Sequence, residues 1–123
     1  MSPARRTLTV ATWNVNGLRA RTGRVESWLA RTRLDVLLVN ETRADRGDPS
    51  EAALLLDGRH LHHHGAPGGR NGVAISSVRP LKDAVDGFEA PIAEGLRDRA
   101  EAEGWERAWC DEARLTSAVV DGV

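Results

Sequence analysis

Residues 8–21 read LTVATWNVNGLRAR, a short apolar run followed at once by a polar turn and a basic tail. The β-branched and apolar residues 8–13 are typical of a β-strand. Asn14 follows them at the carboxyl end of the strand, where its carboxamide can help to orient a metal ion, a water or a phosphate. From spacing alone, the simpler interpretation is that Asn14 and Asn16 form a turn and Gly17 is its left-handed cap.

A helix and a second strand follow this stretch. Val25, Trp28 and Leu29 recur at i, i+3 and i+4, which predicts an amphipathic helix over residues 22–32. Residues 35–40, DVLLVN, form an apolar run typical of a strand covered on both faces. Strand, helix and strand make a βαβ unit with parallel strands. We expect both strands to be central in a sheet, with the helix on one face.

Glu41 directly follows the second strand. If the two parallel strands are neighbours, Glu41 comes next to Asn14 at the edge where open α/β sheets hold ligands. Mg²⁺ is typically bound by one or two carboxylates together with waters and substrate phosphates, so this pair fits half of such a site. The simpler alternative is a strand that ends in a solvated acid.

The next segment predicts a short helix and a hairpin. Residues 48–51, DPSE, combine a cap residue, a proline at the first helical position and a glutamate at the third, which predicts a helix through Leu56. Residues 59–64 and 71–77 are predicted strands, and the glycine-rich residues between them form the turn.

Three histidines alternate along the first strand of that hairpin. His60, His62 and His64 share one strand face, and His-x-His is a spacing that zinc sites use. A zinc site needs further ligands, and no clustered Cys or carboxylate partner is evident. We therefore interpret them as exposed or partly packed side chains.

Composition and charge limit the class of protein. The chain has 123 residues, 41% hydrophobic and 28% charged, which fits one ordinary domain. No apolar run approaches the roughly 18 residues of a membrane span, so we expect no membrane partner. A single cysteine, Cys110, excludes an internal disulfide framework and is compatible with a cytoplasmic location.

Basic residues are concentrated at the start of the chain. Up to residue 34 there are seven arginines and one acid, whereas the rest has ten basic and seventeen acidic residues. A basic start around a polar loop suits a polyanionic partner, although an arginine-rich solvated helix face explains the same count.

Three segments resemble the exodeoxyribonuclease III type of apurinic/apyrimidinic endonuclease, in the endonuclease/exonuclease/phosphatase superfamily. Residues 12–21, TWNVNGLRAR, are similar to the opening of that family. Residues 37–43, LLVNETR, are similar to its motif Leu-Gln-Glu-Thr-Lys, whose glutamate is a metal ligand there and falls on Glu41. Residues 63–77, HHGAPGGRNGVAISS, are similar to a third motif that forms part of the wall of the site.

This chain departs from the second motif at two positions. Asn40 stands where glutamine is usual, which shortens a hydrogen-bonding arm by one methylene. Arg43 replaces lysine, which keeps the charge but not the shape. Neither change removes the carboxylate.

The resemblance implies a fold, an activity and a set of site residues. The fold class is α/β (α+β), the N-terminal half of a four-layered α/β sandwich, with residues 1–123 as one part of a single domain. The activity is that of a Mg²⁺-dependent (or Mn²⁺-dependent) DNA-repair nuclease, with 3'-5' exonuclease and abasic-site hydrolysis. Glu41 and Asn14 are the expected catalytic and metal-binding residues.

The expected partner is double-stranded DNA with abasic sites or 3' ends, bound by a protein that is monomeric when complete. Arg19 and Arg21 in the basic opening are candidate DNA contacts. Arg114 is a third, because the family has an arginine near the DNA phosphates at the matching point.

The last part of the chain gives weaker signals. We expect residues 90–109 to be irregular chain with helical turns, broken at Gly95 and Gly104, with Trp105 and Trp109 packing rather than stacking on a base.

Residues 115–120, LTSAVV, followed by Asp121 and Gly122, predict a strand at an unprotected edge that runs into a hairpin turn. Complete relatives carry a further tyrosine, an Asp/Asn pair and a terminal Asp-His pair without a counterpart here. We expect a chain truncated before the C-terminal half and inactive alone. A catalytically dead half-domain or partial sequence, and another phosphohydrolase acting on inositol phosphates or sphingomyelin, are the alternatives.

Overall fold

Four β-strands form the main sheet of the structure, a computed structural model that describes residues 7–65, 68–87, 90–104 and 113–122. The strands are β1 (Val10–Asn14), β2 (Val36–Asn40), β3 (His60–His64) and β4 (Val73–Ser77), in the spatial order β1-β2-β4-β3. β1 and β2 are parallel, and β4 is antiparallel to both of its neighbours. The predicted βαβ unit and the predicted hairpin are both confirmed.

One part of that expectation is wrong, because β1 is at the end of the described sheet and is not central. A βαβ pattern requires only that the two strands be neighbours. β4 occupies the other side of β2, and only β2 has a partner on both sides.

The sequence predictions are correct for two of the three segments that are helical or that gave a weak helical signal. α1 (Thr22–Arg31) is confirmed, and Pro49–Gly58 is a 3-10 helix capped by Asp48, whose Oδ1 accepts from the Ser50 N–H at 2.9 Å. α2 (Ala90–Glu103) contradicts the irregular chain that we expected there. Its Ala, Glu and Arg content outweighs the roughly 1 kcal/mol cost of one helical glycine.

Gly104, directly after α2, has a φ of +71°. Trp105 and Trp109 lie outside the described residues. None of the helices in the described ranges is long and apolar enough to span a membrane.

α1 and the 3-10 helix cover one face of the sheet. Val25 and Leu29 of α1 are buried against Leu37 of β2 in a continuous apolar cluster. Trp13 and Trp28 add an edge-to-face contact between β1 and α1, with ring centroids 5.5 Å apart. Because apolar burial contributes roughly 25 cal/mol per Å², this cluster stabilises the packing of α1 on the sheet.

A second, two-stranded sheet lies on part of the other face. It pairs β5 (Lys82–Asp86) with β6 (Thr116–Val119), so the predicted last strand is confirmed but has a partner that the sequence did not indicate. Val120 packs on Val36 and Ile75. Val10 and Leu38, on the same face, are 52% and 38% exposed.

The chain therefore has the α/β architecture that the sequence predicts, as part of a layered domain.

A buried arginine holds the amino end of β2. Arg59 donates from Nε to the Ser76 hydroxyl at 2.9 Å and from Nη1 to the Leu34 carbonyl at 3.0 Å. Burial lowers the pKa of its guanidinium, and the nearby Asp35 carboxylate opposes that effect. These bonds secure the edge of the sheet opposite to Glu41.

Candidate active site

The carboxyl ends of β1 and β2 lie at the same edge of the sheet. Asn14, the last residue of β1, is paired with Asn40, the last residue of β2. Glu41 follows directly, and its carbonyl accepts a hydrogen bond from the Gly17 N–H at 2.9 Å. The structure thus brings Asn14 and Glu41 together at the position where open α/β sheets hold ligands.

The side chain of Asn14 closes the turn after β1. Its Oδ1 accepts from the Asn16 N–H at 3.0 Å, and Asn16 and Gly17 have left-handed φ values of 47° and 98°. Asn14 is therefore a turn former, as the simpler interpretation held. A second lone pair of Oδ1, and an Nδ2 group with no partner among the described residues, are left for a ligand.

The three residues after β2 form a strained loop. Glu41 and Arg43 have left-handed φ values of 53° and 50°, which cost about 1 kcal/mol or more each in a non-glycine residue. Thr42, between them, donates its N–H to the Gly72 carbonyl at 3.0 Å and accepts from the Leu18 N–H at 2.8 Å. Hydrogen bonds from both sides hold the loop in this conformation, which is common at functional sites.

The Glu41 carboxylate is accessible at this edge. Its side chain is 42% exposed, and Oε2 lies 3.5 Å from Nη2 of Arg43, which is 51% exposed. Such an exposed ion pair is weak, so another cation can readily replace Arg43 as the partner of the Glu41 carboxylate. A hard, accessible carboxylate suits Mg²⁺, which keeps several waters when few protein ligands are present.

Arg19 and Arg21 bound the 3-10 turn that follows the Asn14 loop. Arg19 Nε donates to Asp48 Oδ2 at 3.0 Å while its side chain is 65% exposed. The Ser50 hydroxyl, which donates to Asp48 Oδ1, holds the pKa of Asp48 below its ordinary value, and Arg19 adds to this. Arg21 is half-buried. Arg19 is therefore an anchored, exposed cation beside the loop.

Arg114 reaches the same edge from a distant part of the chain. Gly72 donates its N–H to the Ala113 carbonyl at 2.8 Å, and its own carbonyl accepts from Thr42. The turn that carries the exposed Arg114 is thus two hydrogen bonds away from the Glu41 loop.

Two of the three alternating histidines have protein partners. His62 Nε2 lies 2.6 Å from Asp86 Oδ1, and His64 Nδ1 donates to a main-chain carbonyl before β6 at 3.2 Å. Burial raises the pKa of Asp86, but hydrogen bonds from His62 and Thr116 lower it by more, so the net pKa is below its ordinary value. His60 is exposed. In the described part of the chain, no three His, Cys, Asp or Glu side chains are grouped to hold a metal ion.

Sequence reasoning missed a fourth histidine, His63, which is only 3% exposed. Its Nε2 lies 2.8 Å from Thr42 Oγ1 and its Nδ1 lies 2.7 Å from Glu51 Oε2. The available signal was the alternation of the strand HLHHH, which places His63 with Leu61 on the core-facing side.

Comparison with known proteins identifies the family. Residues 11–116 match the Endonuclease/Exonuclease/phosphatase family, and the chain belongs to that family. A search of curated proteins found no match.

Solved structures show the same fold. An AP endonuclease from Archaeoglobus fulgidus is 31% identical, with a TM-score of 0.72, over 94% of this chain and 38% of its own. A 3'-5' exonuclease from Neisseria meningitidis is 28% identical, with a TM-score of 0.69, over 93% of this chain and 38% of its own. A 3' phosphatase from Neisseria bound to a product DNA hairpin is 28% identical, with a TM-score of 0.72, over 95% of this chain and 39% of its own. The chain spans less than two fifths of the length of these proteins.

Proposed function

We propose that this chain is the N-terminal part of a Mg²⁺-dependent (or Mn²⁺-dependent) DNA-repair nuclease of the AP endonuclease and exodeoxyribonuclease III type. The observation that carries the proposal is the accessible Glu41 carboxylate, held beside Asn14 at the carboxyl edge of the sheet. The family match and the 31% identity to an AP endonuclease support this reading over that of a solvated strand end.

Glu41 is the residue that would hold the metal ion, and Asn14 would orient a water or a phosphate oxygen next to it. A divalent ion at this position supplies Lewis-acid stabilisation of the charge that develops on a phosphodiester. Because no three His, Cys, Asp or Glu side chains of the described residues are grouped to hold a metal ion, most of the remaining ligands would be water and substrate phosphate.

Double-stranded DNA with abasic sites or 3' ends is the substrate that we propose. Arg19, Arg21 and Arg114 are the phosphate contacts in this proposal, which is supported by the backbone hydrogen bonds that connect the Arg19 and Arg114 segments to the Glu41 loop and to its partner Gly72. The DNA hairpin bound to the Neisseria 3' phosphatase favours DNA over inositol phosphates or sphingomyelin as the substrate. The complete protein in this proposal is a cytoplasmic monomer.

Turnover by this chain alone is expected to be at background. Phosphodiester hydrolysis needs a base for the attacking water, and a positioned acid or base contributes roughly 10² to 10⁴ in rate. Near Glu41 in the described part of the chain, the Asp48 carboxylate is paired with Arg19 and the Glu51 carboxylate with His63, so neither is free to act as that base. The same result follows if the chain is a catalytically dead half-domain, so the two readings need a further test.

The test uses complementation with the C-terminal portion of the Archaeoglobus fulgidus AP endonuclease. We expect no cleavage of an abasic-site duplex by the chain with Mg²⁺, and cleavage once that portion is added. Glu41→Ala should abolish the restored cleavage, since it removes the metal ligand. Glu26→Ala, at an exposed position on α1, is the matched control and should leave it unchanged.

Two results would contradict the proposal. One is a mixture in which Glu41→Ala cleaves as fast as the wild type. The other is a wild-type chain that binds no Mn²⁺, measured as loss of the free-ion signal in electron paramagnetic resonance. Cleavage by the chain alone would contradict the expectation that it lacks a base.

A further inference from the structure

A buried hydrogen-bonded chain of three side chains lies beneath the Glu41 loop. Thr42 Oγ1 is 2.8 Å from His63 Nε2, and His63 Nδ1 is 2.7 Å from Glu51 Oε2. Thr42 is 0% exposed and His63 is 3% exposed, whereas the Glu51 side chain is 16% exposed. The three residues come from the loop after β2, from β3 and from the 3-10 helix, so the chain joins three separate elements.

We propose that Thr42, His63 and Glu51 are positioning residues that hold Glu41 in its metal-binding conformation. This inference rests on the proposed function, because the three residues have this positioning role only if Glu41 binds the metal ion.

Hydroxyl, imidazole and carboxylate in this order are also the arrangement of a nucleophilic triad. Thr42 cannot act as a nucleophile here, because no part of it is accessible to a substrate. Gly72 closes the space above it, since a Cβ added at Gly72 would overlap Thr42 Oγ1. These three side chains therefore cannot contact a substrate, and they act on Glu41 through the backbone.

The connection to Glu41 is through one peptide unit. Thr42 lies between Glu41 and Arg43, whose φ values of 53° and 50° are strained, so the loop relaxes unless Thr42 is held. Backbone bonds to Gly72 and Leu18 fix the Thr42 main chain, and His63 fixes its side chain. Rotation of Thr42 would carry the adjacent carboxylate of Glu41 with it.

The donors and acceptors of Thr42, His63 and Glu51 can pair with one another without a bridging water. An ionised Glu51 only accepts, so His63 Nδ1 carries the proton between them. The Thr42 hydroxyl can accept from His63 Nε2 or donate to it, so its orientation adapts to the imidazole. In proteins with metal sites, partners that orient a ligand commonly account for 10-fold to 100-fold in metal affinity.

The test uses a pair of matched variants at Thr42 and another pair at His63, each made in the 123-residue protein. Thr42→Val keeps the shape and removes the hydroxyl, whereas Thr42→Ser keeps the hydroxyl. His63→Leu removes both hydrogen bonds, whereas His63→Gln keeps a polar end near Thr42. His60→Gln is the control, since His60 is exposed on the opposite face of the same strand.

Mn²⁺ affinity is measured by electron paramagnetic resonance, together with the thermal unfolding midpoint. Thr42→Val and His63→Leu should weaken Mn²⁺ binding by about 10-fold or more, with Thr42→Ser and His63→Gln recovering most of the loss. His60→Gln should bind as the wild type does. Folded Thr42→Val and His63→Leu proteins with wild-type affinity would overturn the inference.

Hydrogen exchange of the Thr42 and Arg43 amides gives a readout that needs no metal. In the wild type these amides donate to the carbonyls of Gly72 and Asn71 and should exchange slowly. They should exchange at least about 10-fold faster in Thr42→Val. Unchanged exchange would overturn the positioning role, even if a variant with His63 replaced unfolds.

The two proposals fail in different ways. If Glu41→Ala abolishes Mn²⁺ binding and Thr42→Val does not weaken it, the metal site stands and the positioning role is wrong. If the wild type binds no Mn²⁺ while the Thr42 amide is still protected through His63, the proposed function is wrong. The buried chain then serves only the fold.

Discussion

At the scale of single residues, Gly72 is a position next to the Glu41 loop that does not tolerate a side chain. Its φ is +92°, and an added Cβ would overlap Thr42 Oγ1. It also donates to Ala113 and accepts from Thr42, so a shift of its backbone affects two neighbouring segments. One glycine therefore governs the packing of the loop that carries Glu41.

Gly72→Ala should lower the free energy of unfolding by about 2 kcal/mol or more. Left-handed strain and displacement of the buried Thr42 hydroxyl both contribute to that loss. Denaturation in urea measures it. Gly23→Ala is the control: Gly23 lies in α1 with nothing within 4 Å of an added Cβ, and we expect a gain of about 0.5–1 kcal/mol. Equal effects at the two glycines would mean that the contact with Thr42 is not what excludes a side chain at Gly72.

At the scale of secondary-structure elements, Asp86 connects three strands. It lies on β5, its Oδ1 is 2.6 Å from His62 of β3, and Thr116 of β6 donates to the same oxygen at 3.1 Å. Arg46 Nη2 is 3.5 Å from its Oδ2. Asp86 is therefore the main polar contact between the two sheets described here.

The stability of this contact should depend on pH. The pKa of Asp86 lies below its ordinary value of 3.8, so the folded protein favours the ionised carboxylate. Its contribution is complete above that ordinary value and is lost as pH falls through the lower folded-state pKa. Asp86→Asn should destabilise the protein by less than about 1 kcal/mol at pH 7, since the side chain is 34% exposed, and the effect should be smaller near pH 2.

Urea midpoints of the wild type and of Asp86→Asn at the two pH values check this prediction. The difference between the proteins should close as the pH is lowered. A difference that persists undiminished at acid pH would mean that the carboxylate charge is not what stabilises the contact.

At the scale of the whole molecule, the two edges of the main sheet differ in chemistry. One edge has the Asn14 turn, the Glu41 loop and the segments with Arg19 and Arg114. The opposite edge is held by the buried Arg59, whose donors bind main-chain carbonyls. The first edge presents the accessible Glu41 carboxylate, with the exposed Arg19 and Arg114 on neighbouring segments, which is why we propose DNA binding there.

Binding of an abasic-site duplex should weaken steeply as salt rises, because each neutralised phosphate releases counterions. Arg19→Ala and Arg114→Ala should each reduce the slope of log affinity against log salt by about one. Arg33→Ala is the control, because Arg33 is exposed next to the amino end of β2. Fluorescence anisotropy measures the slopes. A control variant that changes the slope as much as the other two would contradict the assignment of this edge.

Local patterns in the sequence determined the βαβ unit, the hairpin and the meeting of Asn14 with Glu41. These follow from apolar periodicity and from the rule that neighbouring parallel strands end at one edge, which need no knowledge of distant contacts. α2 was missed because single glycines were given more weight than the helix-forming residues around them.

The tertiary structure alone decided that β1 is at the end of the described sheet and that β5 pairs with β6. It also decided that His63, and not the three alternating histidines, is linked to the Glu41 loop. Thr42 and His63 are 21 positions apart, and His63 and Glu51 are 12 apart, so no local spacing connects them. They meet because the core-facing side of β3 packs against both the loop and the 3-10 helix. Burial then requires each of their polar atoms to have a partner.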